Sequence, residues 1–268
     1  MQFRQSTIKL FTECSLRYRF QDQGAPREQS SAMSFGTAIH DAVMQMELAY
    51  DPQVGIDRFT AIWQHLADFD LDYDYLIPRY DHSTYTDLGY RILRDWWSLI
   101  QWDTDIVLAR EYQFEVPIGD GSTLAGTADK VCLRTQKDGS YSVLISDYKT
   151  GSKQPTRDYL AHDVQFSAYC YATTQQEFWA NIPDGPRLFT ELANAPREGE
   201  WVQLRAPKRI TAGQRTQMHY NRLRYACDQI EQSIALGIFV PDLSGEKCEF
   251  CEFRKVCGLP SRAEEGLE

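Results

Sequence analysis

Residues 145–151 read Ile145-Ser146-Asp147-Tyr148-Lys149-Thr150-Gly151, and the alternation along this run sets the reading of the whole chain. In a strand, side chains at i and i+2 share a face, so Asp147 and Lys149 point one way and Tyr148 the other. A carboxylate beside an ammonium suits phosphodiester cleavage. The carboxylate holds a hard divalent cation that polarises the phosphate and activates water, and the lysine orients that water or meets developing negative charge. An ordinary ion pair on a strand is spelled the same way, so the run has to be read with its neighbours.

Just upstream, Lys137-Asp138-Gly139 is a hairpin signal. A three-residue loop with Gly139 left-handed pairs 136 with 140 and, in the same register, 129 with 147. Asp129 then faces Asp147 across two strands. Opposed carboxylates repel, and a bound cation is the natural reason to tolerate them. A two-residue loop would put Asp129 on the other face, so the inference depends on the register.

Further out, Tyr112, Phe114, Val116 and Ile118 alternate with polar neighbours and predict a strand over 112–118, followed by strands over 124–135 and 141–149. Residues 5–20 predict a short helix containing Cys14, and 34–50 a helix with Ile39, Ala42, Val43, Met46, Ala49 and Tyr50 on one stripe. His40 lies off that stripe and is a third candidate ligand, although a lone histidine is more often structural. A helix over 157–180 puts Gln165 and Tyr169 on one face. Strands over 187–193 and 200–206 follow. Thr211 and Gln214 then read as a capping box opening a helix to about Leu236.

Seven cysteines are an odd count without the spacing of a disulfide scaffold, which points to a reducing compartment and to metal. Cys248-x2-Cys251-x5-Cys257 supplies three thiolates, and Cys14 is the remote fourth. Cys132, Cys170 and Cys227 fall within regular elements and read as buried small hydrophobes. Zinc competes with iron–sulfur here, although zinc sites usually pair two Cys-x-x-Cys knuckles and this chain has one.

The 268 residues, 43% hydrophobic and 25% charged, suffice for one large domain with an insertion. No run of 18 apolar residues would cross a membrane, and Met-Gln-Phe-Arg-Gln-Ser lacks a signal peptide's apolar stretch, so the expected location is the cytoplasm. No Gly-x4-Gly-Lys-Ser/Thr run occurs, so no nucleotide cofactor is expected. The net charge of −10 argues against a general polyanion binder, yet charge is uneven. Residues 51–111 hold twelve acids against five arginines. Residues 51–105, rich in Tyr and Trp, predict a helical insertion. Residues 201–227 hold no acid but six basic residues, including Arg215 and Arg222, which are the candidate DNA contacts; a solvated helix face would also account for them.

In order along the chain, Cys14 with Arg17-Tyr18-Arg19-Phe20, Gly36-Thr37-Ala38-Ile39-His40, Gly126-Thr127-Ala128-Asp129-Lys130-Val131, Asp147-Tyr148-Lys149-Thr150-Gly151, Gln165-x3-Tyr169 and the final cysteine cluster resemble the RecB-like branch of the PD-(D/E)xK nucleases. Within it, they resemble the iron–sulfur exonucleases related to the AddB nuclease domain and the CRISPR-associated RecB-like exonucleases. The resemblance implies an α/β restriction-endonuclease-like core: a mixed central sheet flanked by helices (31–50 and 106–240), with the 51–105 insertion. An iron–sulfur lobe (1–30 with 241–260) would join the chain ends, leaving a 261–268 tail.

The resemblance also implies roles. His40, Asp129 and Asp147 would bind Mg²⁺ or Mn²⁺, with the Tyr148 backbone carbonyl as a further ligand. Lys149 would be the catalytic lysine, and Gln165 and Tyr169 would position DNA or water. Glu111 sits where relatives place an outer or second-metal acid. Cys14, Cys248, Cys251 and Cys257 would hold a [4Fe–4S] cluster. The implied activity is a DNA exonuclease on single strands or duplex ends, leaning to 5′-to-3′, in recombination, repair or CRISPR adaptation, with endonuclease activity also open. The competing reading is a DNA-binding partner subunit of a recombination or adaptation complex that only trims. Ser15 departs from the proline common after the first cysteine.

Overall fold

The computed structural model describes residues 1–26, 31–68, 82–101, 103–245, 247–248 and 251–259. A short strand β1 (Gln2–Arg4) leads into α1 (Gln5–Glu13) and α2 (Ser15–Asp22), which are separated at Cys14 by extended backbone. Helices α3 (Ser31–Ala49), α4 (Pro52–Asp68) and α5 (His82–Ile100) follow. Next come the strands β2 (Ile106–Pro117), β3 (Thr123–Thr135) and β4 (Tyr141–Lys149). Then come α6 (Arg157–His162), α7 (Val164–Ala172), a 3-10 turn at Gln176–Trp179 and α8 (Gly185–Glu191). A hairpin of β5 (Arg197–Gln203) and β6 (Lys208–Arg215), then α9 (Gln217–Ala235) and α10 (Arg254–Cys257), complete the described chain.

The β3–β4 hairpin forms in the register its turn predicts. Gln136 N–H bonds the Ser140 carbonyl, Gly139 sits at φ +84°, and Lys130 faces Ser146. Asp129 therefore lies opposite Asp147. The six-stranded sheet is mixed: β1 is parallel to β3 and β5 to β4, while the other pairs are antiparallel. Because β2 lines one edge of β3 from 123 to 133, β1 and β4 must share the other edge, at 123–125 and 130–135. Residues 126–129 are left in the fork between them. There the Asp129 carboxylate accepts the Tyr148 N–H at 2.5 Å, in place of a ladder acceptor.

Helices cover both faces. On one, α1, α7 and α9 bury Ile8, Ala168, Leu223, Cys227 and Ile230 against Val131, Val143 and Ile145. On the other, α3, α4 and α5 bury Ile39, Met46, Phe59, Trp63, Ile92 and Trp96 with Tyr148, Val202 and Leu204 of the sheet. The described part of the 51–105 insertion is thus a layer of the fold. Tyr73, Tyr75, Tyr80, Trp102 and the 261–268 tail lie outside the described residues. Among the described residues, no helix is long and apolar enough to cross a membrane. Beneath the second layer, Asp103, Asp105 and Glu200 bind Lys130, Arg134 and Arg209 at 2.5–2.9 Å.

Several local expectations are corrected. The helix expected over 157–180 breaks at Asp163, whose extended backbone ends α6 and whose carboxylate caps Gln165 and Phe166 N–H of α7. Residues 187–193 fall mostly in helix α8 instead of a strand, started by Pro at its first turn. The last helix does not begin at Thr211, because 208–215 pairs with β5; the capping box is Thr216 with His219. The α3 stripe stops at Met46, with Ala49 exposed and Tyr50 exposed at φ +50°.

Candidate active site

Three acids stand side by side on three adjacent strands. Arg110 faces Lys130 and Tyr112 faces Ala128, so Glu111 of β2 lies opposite Asp129 of β3, which in turn faces Asp147 of β4. Glu111 takes φ +44°, a left-handed backbone that non-glycine residues rarely adopt and that recurs where a site dictates it. Helix α3 brings His40 over this row: its Nδ1 lies 3.4 Å from Asp129 Oδ1 and 3.8 Å from Glu111 Oε1. One ligand atom from each of His40, Glu111 and Asp129 lies within 4.8 Å of the other two, a hard N/O donor set suited to a divalent cation. The helix approaches closely because Gly36 meets the loop after Lys149; a Cβ there would sit 3.3 Å from Thr150 Oγ1.

Asp147 lies outside that trio and engages the other candidates. Lys149 Nζ is 2.6 Å from its Oδ2, and Gln165 Nε2 donates to its Oδ1 at 2.6 Å. Gln165 Oε1 accepts from Lys149 at 3.2 Å, and Gln165 Nε2 lies 3.3 Å from the Tyr169 hydroxyl. The predicted sharing of a helix face by Gln165 and Tyr169 is realised in this chain of contacts. Asp147 Oδ2 is buried and makes no aligned hydrogen bond even though the Lys149 ammonium is close, so it has acceptor capacity to spare.

The electrostatics record an excess of acid. Burial pulls the His40 imidazole down, but its hydrogen bonds to Asp129 and Glu111 and the charges of Asp129 and Asp147 push it up to about 10. Burial pushes the Asp147 carboxyl up to about 6; the Lys149 charge pulls it back and Asp129 adds to the rise. Lys149 stays above its ordinary range: burial works against its charge, and Asp147 more than compensates. The imidazolium thus occupies the place a cation would take.

Away from this site, Cys14, Cys248, Cys251 and Cys257 line one small pocket together with Arg17 and Phe20. Burial raises the Cys248 and Cys251 thiols, and the neighbouring Cys14 adds to both. Ser15 joins the start of α2 to the chain near its end, exchanging hydrogen bonds with Val240. Cys132, Cys170 and Cys227 are buried, as expected of small hydrophobes.

The basic strip is not one surface. Arg215, expected to touch DNA, is only 3% exposed; it donates to the Ala212 and Leu160 carbonyls and to Ser167 Oγ, because a buried guanidinium must satisfy its donors inside. Arg209 belongs to the ion network beneath the insertion. Arg222 and Arg224 are exposed on α9. An open polar cleft of about 520 Å³, lined by Gln2, Arg4, Gln113, Thr127 and Asn181 among others, adjoins the acid row through Tyr112 and Gly126.

A family model described as the PD-(D/E)XK nuclease superfamily matches residues 2–258. No curated protein matches the chain. A solved structure described as that of SSO0001 aligns over 96% of this chain and 85% of its own, at a TM-score of 0.37 and 10% identity, too distant to carry any argument.

Proposed function

The chain belongs to the PD-(D/E)XK nuclease superfamily, and from that premise we propose that it is a Mg²⁺- or Mn²⁺-dependent deoxyribonuclease. The observation that carries this is the row Glu111–Asp129–Asp147 on neighbouring strands, with His40 above it and Lys149 beside it. His40, Glu111 and Asp129 would hold the cation, with Asp147 and the Tyr148 carbonyl completing its shell. Bound there, the cation supplies Lewis-acid polarisation of the phosphate and a more acidic water.

The rest is the work of the chain's own side chains. Lys149 remains protonated, so it serves as a cation that holds water and meets charge developing on phosphate oxygen. Gln165 fixes Lys149 and Asp147 relative to each other through its two amide atoms. Burial, and then the charge of Asp147, raise the Tyr169 phenol, so it remains a proton donor toward a bound strand.

The substrate in this reading is DNA, processed as an exonuclease from single-stranded or duplex ends with 5′-to-3′ polarity. The work belongs to recombination, repair or CRISPR adaptation in the reducing cytoplasm. The four cysteines that share one pocket support a [4Fe–4S] cluster joining the two ends of the chain. The test is degradation of end-labelled and circular single strands by purified protein with Mn²⁺ against EDTA. Mn²⁺-dependent loss of linear DNA alone is expected. Absence of cleavage under both conditions overturns the assignment, and cleavage of circles makes the enzyme an endonuclease. Iron and sulfide analysis of anaerobically purified protein tests the cluster, and stoichiometric zinc without iron would replace it.

A further inference from the structure

Under α3, on the side of the sheet that Tyr148 faces, one buried carboxylate gathers contacts from three strands. Glu47 of α3 is 7% exposed and sits at the end of an apolar stripe, next to Met46. Its Oε1 accepts from the Tyr148 hydroxyl at 2.8 Å and from Trp96 Nε1 at 3.1 Å. Its Oε2 accepts from Arg110 Nε at 2.8 Å and faces Lys130 Nζ at 3.6 Å. Those three strand residues are the chain neighbours of the three acids: Arg110 precedes Glu111, Lys130 follows Asp129 and Tyr148 follows Asp147. The contacts show that each of these side chains points toward Glu47.

We propose that Glu47 is the positioning residue of the metal site, a clamp that fixes β2, β3 and β4 and so sets the spacing of Glu111, Asp129 and Asp147. This rests on the nuclease reading above, and it concerns how the site is held.

Three physical points carry it. First, the three acids repel one another; His40 meets Glu111 and Asp129, and Lys149 and Gln165 hold Asp147, but no one of these contacts spans all three strands. A shared acceptor does so with charge-assisted bonds, which are short and directional. Second, Glu111 is held in a left-handed backbone, a state that persists only where the surroundings over-determine it. The Arg110–Glu47 bond anchors the preceding residue. Third, His40 and Glu47 lie seven residues apart on α3, two turns on nearly the same side of the helix. One rigid element therefore sets both the histidine at the row and the clamp. Partners that hold metal ligands in this indirect way typically govern metal affinity or activity by roughly 10–100-fold.

The experiment compares Glu47→Gln with Asp105→Asn. Asp105 is another buried acid of the same face, paired with Arg134 and Arg209 and distant from the row in every strand. Both variants lose a buried charge partner and should melt lower than wild type. Glu47→Gln should also bind Mn²⁺ roughly tenfold or more weakly by calorimetry and lose kcat to a similar extent, with KM for DNA unchanged. Asp105→Asn should keep wild-type metal affinity and kcat. Tyr148→Phe removes one arm of the clamp with little risk to folding, and should weaken Mn²⁺ binding several-fold.

Equal metal affinity in wild type, Glu47→Gln and Tyr148→Phe would overturn the clamp, leaving Glu47 as part of the ion network alone. Should Glu47→Gln fail to fold, Tyr148→Phe decides in the same way. Wild-type protein that binds Mn²⁺ but cuts no DNA would refute the nuclease reading and leave the clamp to be judged by the affinities.

Discussion

The sheet carries two clusters of charge that look alike in composition and differ in balance. Beneath α3–α5, Glu47, Asp103, Asp105 and Glu200 meet Arg110, Lys130, Arg134 and Arg209, four acids with four bases and close contacts throughout. At the fork, Glu111, Asp129 and Asp147 meet one lysine and a histidine that is charged only because the acids surround it. A buried cluster that is complete is part of the architecture, because removing one member strands the rest. A cluster short of positive charge holds repulsion that folding alone does not relieve, and such sites are where a ligand cation belongs.

The sharpest way to break this contrast is one substitution in each cluster. Asp147→Asn is expected to lower cleavage roughly a thousandfold or more, since several kcal/mol of transition-state stabilisation go with a metal ligand. The same change should raise the melting temperature of the metal-free protein at neutral pH. The sign follows from Asp147 being pushed up to about 6, above its ordinary 3.8. A raised carboxyl favours the folded state when protonated, and that benefit is lost as pH rises from about 4 through 6. At pH 7 the ionised group therefore works against folding, and an uncharged amide removes that opposition. Lys149→Ala should be as inactive, without the gain in stability.

In the balanced cluster, Glu200→Ala should do the reverse. It leaves Arg134 and Arg209 to share Asp103 and Asp105, with one buried positive charge of the network uncompensated, and should cost about 3–5 kcal/mol. For a chain of this size that corresponds to a melting point lower by about 6–20 °C. The specific activity of the remaining folded protein should hold. Calorimetric scans and rates on the two variants check both halves, and a fall in stability for Asp147→Asn equal to that of Glu200→Ala would erase the distinction.

The two clusters were not equally legible in the sequence. Gly139 fixed a three-residue turn, the turn fixed the register, and the register placed Asp129 against Asp147. That chain of local steps needed nothing from the rest of the fold. The position of Glu111 depended on a left-handed residue in β2 that no pattern announces. Glu47 has only a faint signal, an acid beside the end of the apolar stripe on the helix that carries His40. The balanced network was hidden because its partners are far apart in sequence: Asp103 and Arg209 are 106 residues apart. Local patterns also misled where two structures fit one spelling. Thr211 and Gln214 suit a capping box as well as a strand, and pairing with β5 decided the outcome. Pro186 is a readable sign of a helix start in a run whose composition also spells a strand.

A pH titration sharpens the picture of the acid-rich cluster. His40 is pushed up to about 10, so it is protonated at neutral pH in metal-free protein. A metal binds only the neutral imidazole, so binding must release that proton. Mn²⁺ affinity should rise about tenfold per pH unit from 7 to 9, with about one proton released per ion. Calorimetry in two buffers of different ionisation enthalpy counts the protons, and His40→Ala should abolish the release. Affinity independent of pH in that window would mean that His40 is not a ligand.

The smallest effect concerns the basic strip, where the same contrast between satisfied and unsatisfied charge separates residues that look identical in sequence. Arg209 is consumed by the balanced cluster, and Arg215 is buried against carbonyls. Arg222 and Arg224 keep their charge in solvent on α9, two residues apart and so on different sides of the helix. A phosphate can reach only the exposed ones, and one DNA path need not meet both. Replacing the arginine on the path by Ala should lower the salt slope of single-strand binding by about 0.7 and weaken binding two- to threefold at about 50 mM salt, with less loss as salt rises. Arg215→Ala should leave the slope alone and lower the melting temperature, because Leu160, Ala212 and Ser167 lose their donor. The measurement is single-strand affinity across a salt series with metal-free protein. An altered slope for Arg215→Ala at unchanged stability would put that guanidinium on the surface after all. Unchanged slopes for both Arg222→Ala and Arg224→Ala would move the strand off α9 and toward the polar cleft lined by Arg4.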